Sequence, residues 1–259
     1  MSELIHPTAI VDHAAQIHES VVVGPYSVIG ADVTIDEKTI VESHVVIKGP
    51  STIGKNNHFY SFSSIGEAPQ DKKFANEKTE LIIGDNNTIR EFVSINRGTA
   101  QDAVATRIGN DNWIMAYVHI AHDCQIGSHT IMSNNATLAG HVHVEDHVIL
   151  SGFAKVHQFC RIGQHSFCGM NTDITRDVPP YIMLSGNPGT PRGINQEGLK
   201  RRGFTPEQIR MIKEAYRLLY RKELKLDEAK VAIIELANQH TELQAFVNFF
   251  EKSERSIVR

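Results

Sequence analysis

The strongest constraint on this 259-residue chain is a period of six. In one phase, apolar residues fall at Val23, Ile29, Ile35, Val41, Ile47, Ile53, Phe59 and Ile65, and after a gap at Ile83, Ile89 and Ile95. The phase then slips by one residue and runs from Ile108 through Ile114, Ile120, Ile126, Met132, Leu138, Val144, Leu150, Val156, Ile162 and Cys168 to Ile174. Small or turn-prone residues often follow, as at Gly24, Gly54, Gly84, Gly109, Gly127 and Gly163. A helix needs apolar residues every third or fourth position and a lone strand every second, so a strict six means short strands meeting at repeated corners. Three such strands close an eighteen-residue coil, whose inward side chains stack in columns at the strand spacing of about 4.8 Å. A β-sandwich would space its turns more widely and less regularly.

Two segments break the rhythm and leave the coil as loops, about 67–80 and 98–107. After Pro179 and Pro180 the hexads end, and Ser185 to Pro191 reads as an irregular connector. Thr205-Pro206-Glu207-Gln208 carries an N-cap threonine, proline at the first helical position and a glutamine placed for a capping box. Ile209, Ile212, Ala215, Tyr216, Leu219 and Tyr220 form the apolar stripe of that helix; a second helix starts at Leu226 and a third from Thr241 onward. The chain is therefore read as mainly β, a parallel β-helix over 1–190, followed by a connector and a small helical domain over 191–259 that caps the open end of the coil.

With 26 Lys+Arg against 30 Asp+Glu, the net charge of −4 gives no basic field for a nucleic-acid partner. The amino terminus lacks the basic and apolar regions of a secretory leader, and no stretch approaches the length of a membrane span. Cys124, Cys160 and Cys168 are an odd number without a C-x-x-C pair, which argues against disulfides and fits a reducing, cytoplasmic compartment.

Residues eighteen apart lie above one another in such a coil. His122, Gly140 and Gln158 form one column, Asp123, His141 and Phe159 the next, and His157 sits beside Gln158. Histidine suits proton transfer near neutral pH, and a neighbouring carboxylate orients the ring. Gly140 offers a backbone N–H that no side chain shields from a developing oxyanion. Together these parts describe acyl transfer in which His122 activates an acceptor hydroxyl directly, without a covalent acyl-enzyme. Among 14 histidines most are solvated or corner residues, and His18, His44, His58, His129, His147 and His165 are assigned to that background. Cys124 and Cys160 read as small hydrophobes rather than nucleophiles. His119, His122, Asp123 and Cys124 would suit a zinc site of the kind γ-class carbonic anhydrases hold between subunits, but that pattern wants histidines where this chain has Gly140 and Gln158. No metal and no cofactor are assigned.

Four segments carry a resemblance to a known family: Ile120-Ala121-His122-Asp123-Cys124, Asn134 through Val142, Val156 through Cys160, and Glu197 through Phe204. They resemble the UDP-N-acetylglucosamine acyltransferases that begin lipid A biosynthesis, over nearly the whole chain. The resemblance implies a left-handed coil, which periodicity does not give and which runs against the usual right-handed crossover. It also implies a homotrimer with sites between adjacent coils, acyl carrier protein as donor partner, and UDP-N-acetylglucosamine as acceptor. By motif match His122 is the general base, Asp123 its orienter and the Gly140 amide the oxyanion donor. His141 and Asp71 would contact the sugar, with Gln70 beside them, and Lys73 the donor or sugar pocket. His157 and Gln158 would lie near the sugar nucleotide, and Asn195, Glu197, Arg201 and Arg202 near uridine and phosphates. Arginine's planar fork suits phosphate oxygens independently, and Lys200, Arg201 and Arg202 could equally attract an acidic carrier protein.

Two departures matter. Asn96 stands where relatives often have histidine and is given no catalytic role. Met170 stands where long-chain members have glycine, which predicts a shallower acyl groove and a chain of roughly ten carbons rather than about fourteen. The remaining readings are a zinc-dependent hydratase of the γ-carbonic-anhydrase kind and a non-catalytic binding trimer. The residues leave a 3-hydroxyl and a 3-amino acceptor both open.

Overall fold

A computed structural model describes residues 4–259; Met1, Ser2 and Glu3, part of the amino terminus read above as lacking a leader, lie outside the described residues. Short strands from Ile10–Val11 to Asp173–Ile174 run parallel and sort into three sheets, each strand pairing with the third one on. The register is the one that eighteen-residue coils require, with Ile120 beside Leu138, Leu138 beside Val156 and Val156 beside Ile174. Every residue of the period-six phase is buried. Each such aliphatic side chain contributes about 1.5–3 kcal/mol by leaving water, which is how strands only two residues long hold together.

The corners form three outward edges. At most corners one residue lies in the left-handed region, as Asp123, His141 and Phe159 do with φ of 60°, 63° and 64°. That conformation costs a non-glycine residue about 1 kcal/mol, and Asn, Asp and His accept it best. Corner side chains of successive coils meet in ladders. The first edge carries His122, Gly140 and Gln158 and their neighbours. The second carries His129, His147 and His165, stacked at 4.8 and 4.6 Å between ring centroids. The third carries Tyr26, His44, Phe62, Phe92 and Tyr117, with successive centroids 4.9–5.2 Å apart.

Both excursions leave from the first edge. Strands Ser64–Glu67 and Ser94–Asn96 end there, and strands Glu80–Ile83 and Ala105–Ile108 resume from it. The loops are therefore 68–79 and 97–104, shorter than the sequence suggests. Pairing of Glu80 through Ile83 with Ala105 through Ile108 draws the end of the second loop into the sheet.

The connector also differs from expectation. Ile182–Ser185 and Thr190–Ile194 form an antiparallel pair on the ten-stranded sheet. Leu184 continues the inward column beside Cys168, so burial keeps this segment extended despite its proline and glycine content. Helix α1 (Gln196–Arg201) was not expected; Asn195 caps it, its side chain accepting from the Gly198 amide. Helix α2 (Pro206–Tyr220) carries the expected capping box between Thr205 and Gln208. Helix α3 (Leu226–Ala237) follows, and the Thr241 segment is a 3-10 turn, Thr241–Leu243, leading into α4 (Gln244–Lys252).

These helices close the end of the coil. The Tyr181 ring lies 5.5 Å from that of Phe246, and its hydroxyl donates to the Glu242 carbonyl at 2.7 Å. The carboxy-terminal tail returns to the coil, where buried Asp177 accepts from the Ser253 hydroxyl at 2.6 Å and from the Arg161 amide at 2.8 Å. Among the described residues, no helix is long and apolar enough to cross a membrane.

Candidate active site

Asp123 is the most constrained polar residue of the first edge. Its buried carboxylate accepts from His122 Nδ1 at 2.9 Å, from the Thr99 amide at 2.9 Å and from the Thr99 hydroxyl at 2.7 Å. Burial would raise its pKa, but the hydrogen bonds from His122 and Thr99 outweigh burial and hold it below the usual carboxylate range. An ionised acceptor at Nδ1 fixes the neutral imidazole as the Nδ1–H tautomer and leaves Nε2 as a free base.

Gly140 lies against that imidazole near Cε1 and Nε2. A Cβ added there would stand 2.6 Å from His122 Cε1 and 2.8 Å from Nε2, so only glycine leaves the ring where it is. The Gly140 carbonyl accepts from the Phe159 amide at 3.1 Å, while its N–H has no partner among the described residues. A proton acceptor and an unused N–H donor are thus adjacent. That pair can take a proton from a nucleophile and stabilise the negative charge that develops on a carbonyl oxygen.

His141 crosses His122 edge-on at 5.0 Å and stacks on Phe159 at 4.3 Å. Its Nδ1 pairs with Asp102 of the second loop at 2.5 Å. His119, one strand earlier, lies 2.8 Å from the Ser94 hydroxyl; burial, then the nearby His122, lowers its pKa. A cleft of ≈ 470 Å³ opens beside His141 and Phe159, bounded by Asp102, Arg161 and the carboxy-terminal Glu254.

Sequence reasoning missed four partners of this edge. Thr99 and Asp102 lie in the second loop, where the eighteen-residue arithmetic fails, and Thr106 follows it and accepts the Asp123 amide at 2.9 Å. A polar segment leaving the first edge just before His122 was the available signal. Arg255, which donates to the Gln158 carbonyl at 2.8 Å, gave none.

The other expected residues are dispersed. His157 and Gln158 are exposed at the top of the first edge, the imidazole turned to the Gln158 carbonyl at 3.1 Å rather than to His122. Gln70, Asp71 and Lys73 lie in the first loop, where Asp71 accepts from the Lys73 amide at 3.0 Å. Asn96 anchors that loop by donating to the Ala68 carbonyl at 2.9 Å, a structural reason for its identity. Asn195 caps α1 and reaches the His165 carbonyl; Arg202 reaches the His147 carbonyl, on the second edge. Glu197 pairs with Lys200, Arg201 is exposed, and Met170 is 74% exposed on the third edge. One chain alone therefore does not gather all of the expected set.

His122, Asp123 and His141 offer ligand atoms within 4.8 Å of one another, a spacing a metal could use. The Asp123 oxygens are already engaged by Thr99 and His122, and His141 Nδ1 by Asp102. The donor set is arranged for proton handling rather than for three open ligands. Cys124, Cys160 and Cys168 are free and buried, and burial pushes their thiols up to about 12, about 11 and about 12, so none is a nucleophile.

Comparison with known proteins agrees with this architecture. Residues 177–258 match the family model for UDP N-acetylglucosamine O-acyltransferase, domain 2, and residues 14–49 and 105–140 match the bacterial transferase hexapeptide model. The acyl-(acyl-carrier-protein)-UDP-N-acetylglucosamine O-acyltransferase of Herminiimonas arsenicoxydans is 55% identical over 99% of both chains. The UDP-N-acetylglucosamine acyltransferase of Francisella novicida superimposes with a TM-score of 0.97 at 47% identity, covering 98% of this chain and 94% of that one. The corresponding Acinetobacter baumannii structure gives 0.97 at 46% identity, over 99% and 100% of the two chains. The fold is thus a left-handed parallel β-helix with a helical carboxy-terminal region. The chain belongs to the UDP-N-acetylglucosamine O-acyltransferase family.

Proposed function

We propose that this protein transfers an (R)-3-hydroxyacyl chain from acyl carrier protein to the 3-hydroxyl of UDP-N-acetylglucosamine, the reaction that opens lipid A biosynthesis. The observation that carries the mechanism is the His122 ring held between the Asp123 carboxylate and Gly140. His122 Nε2 takes the proton of the sugar hydroxyl as its oxygen attacks the thioester carbonyl carbon. Negative charge then develops on the carbonyl oxygen, where the Gly140 N–H stabilises it, and Asp123 stabilises the imidazolium. Collapse breaks the carbon–sulfur bond, and the imidazolium returns its proton to the departing thiolate of the carrier. No residue is acylated.

The dispersal of the other residues supports a trimer with sites between copies. His122 lies on the first edge, Met170 on the third and Arg202 on the second, so a complete site needs a second chain. The third edge supports this reading with an exposed stripe: Tyr26, Phe62, Phe92, Tyr117 and Phe153 are each 45–61% exposed. An exposed aromatic stripe of this kind, interrupted by His44 and Asn135, marks an association surface. In that arrangement His141, Asp71, Gln70 and Lys73 serve the sugar and donor, and His157, Gln158, Asn195, Glu197, Arg201 and Arg202 the nucleotide.

Met170 supports a chain of about ten carbons. Ala116, Asn134, Gly152 and Met170 occupy one column of the third edge. A Cβ at Gly152 would meet nothing nearer than the Asn134 carbonyl at 3.5 Å, so an open step is followed by a protruding side chain. One coil, about 4.8 Å, is roughly the length of four methylenes. Both substrates and the three free thiols fit a cytoplasmic enzyme.

The test is transfer from a series of 3-hydroxyacyl carrier proteins to UDP-N-acetylglucosamine by purified protein. Acylated sugar formed fastest from the ten-carbon donor is expected. Preference for the fourteen-carbon donor removes the role given to Met170, and no transfer from any donor removes the function.

A further inference from the structure

Thr99 is placed to do for Asp123 what Asp123 does for His122. It is buried, its amide donates to Asp123 Oδ1 at 2.9 Å, and its hydroxyl donates to Oδ2 at 2.7 Å. Oδ2 is the oxygen that receives His122 Nδ1 at 2.9 Å. Two donors from one residue leave the carboxylate a single orientation, the one that points Oδ2 at the imidazole. The Asp123 backbone, at φ 60°, is tied separately through its own amide to the Thr106 hydroxyl at 2.9 Å, so the two threonines fix side chain and main chain independently.

We propose that Thr99 is a positioning residue of the transfer reaction, acting through Asp123 to keep His122 aligned, and that the second loop exists in part to deliver it. This rests on His122 being the general base. A threonine that merely packed the loop would need neither donor aimed at the carboxylate. Both aimed at one ionised side chain, itself bonded to the base, is the arrangement by which an outer residue preorganises a catalytic group.

The test is a double-mutant cycle on the full-length protein, with kcat and KM measured for both substrates. Thr99→Val keeps the shape and removes the hydroxyl; kcat is expected to fall about tenfold with both KM values within twofold of wild type. Thr99→Ser, which retains both donors, is expected to recover at least half of the wild-type kcat. In an Asp123→Asn background, Thr99→Val is expected to cost less than twofold, because the residue it acts through is gone. If Thr99→Val does not yield folded protein by thermal melting, Thr99→Ala carries the same cycle. A full tenfold loss in the Asp123→Asn background, a kcat for Thr99→Val within twofold of wild type, or a Thr99→Ser as impaired as the valine variant each overturns the proposal. His122→Ala run alongside separates the two failures: if it keeps its activity the general-base reading is wrong, whereas if it is inactive while Thr99→Val is silent only the role of Thr99 is wrong.

Discussion

Two edges of the same coil carry histidines, stacked in one column on the second edge and set in adjacent columns on the first. On the second edge His129, His147 and His165 face one another at stacking distance, and the nearest carboxylate to His129, Asp111, is 3.9 Å away. Burial is the main cause that lowers the pKa of His147 and that pushes His165 down to about 3, with neighbouring histidine and Arg202 adding to it. These imidazoles pack as a ladder that continues into Tyr181 at 5.5 Å. On the first edge the ring of His122 has an ionised carboxylate at Nδ1 and a glycine near Cε1 and Nε2. His129, His147 and His165 occupy the left-handed corner position themselves, whereas His122 precedes it and Asp123 takes it, so the edges differ in where the ring is set as well as in what surrounds it. In the proposed mechanism His122 becomes a base through Asp123 and Gly140, with Thr99 behind the carboxylate.

The comparison can be broken most sharply at His122. His122→Asn should lower turnover by about 10³-fold with an unchanged melting temperature, measured by transfer assay and thermal scan. Next in size, Met170→Gly should move donor preference toward longer chains by about 10²-fold, since roughly four methylenes at ~0.8 kcal/mol each regain a place to bind. Gly140→Ala should reduce kcat by about 30-fold through the collision of its methyl with the His122 ring, while the corner still folds.

The second edge gives a pH prediction instead of a kinetic one. His165 sits at about 3 in the folded chain, below its ordinary value of 6.5. The unfolded chain therefore binds this proton first, and stability is complete above about pH 6.5 and falls as pH drops from there toward about 3. The melting temperature should decline on acidification from about pH 7 to about pH 5, and His165→Phe should shrink that decline. Phenylalanine already occupies left-handed corners at Phe153 and Phe159. His147→Gln, the smallest effect, should leave turnover within about twofold of wild type.

Much of the coil was legible because a single physical rule, burial of every sixth side chain, holds over most of the chain. The same rule gave the neighbours of His122, since adding eighteen to a residue number names the side chain above it. It failed where the chain leaves the coil. Thr99 and Asp102 reach the site from a loop whose length is no multiple of the repeat, so no spacing placed them beside Asp123 and His141. The Thr190–Ile194 strand was hidden by the glycines and prolines of its turn, and α1 by its brevity, although Asn195 followed by Gln196 and Glu197 is a readable helix start. The hand of the coil has no counterpart in periodicity and came from family likeness.

The central claim is that a carboxylate, and not the number of histidines or a metal, makes the first edge catalytic. Its most direct test is kcat for Asp123→Asn beside wild type, with a chelator added to both. The account predicts a loss of about 10²-fold or more in the variant and no effect of chelation on wild type. A variant within twofold of wild type, or a wild-type activity abolished by chelation and restored by zinc, would contradict it.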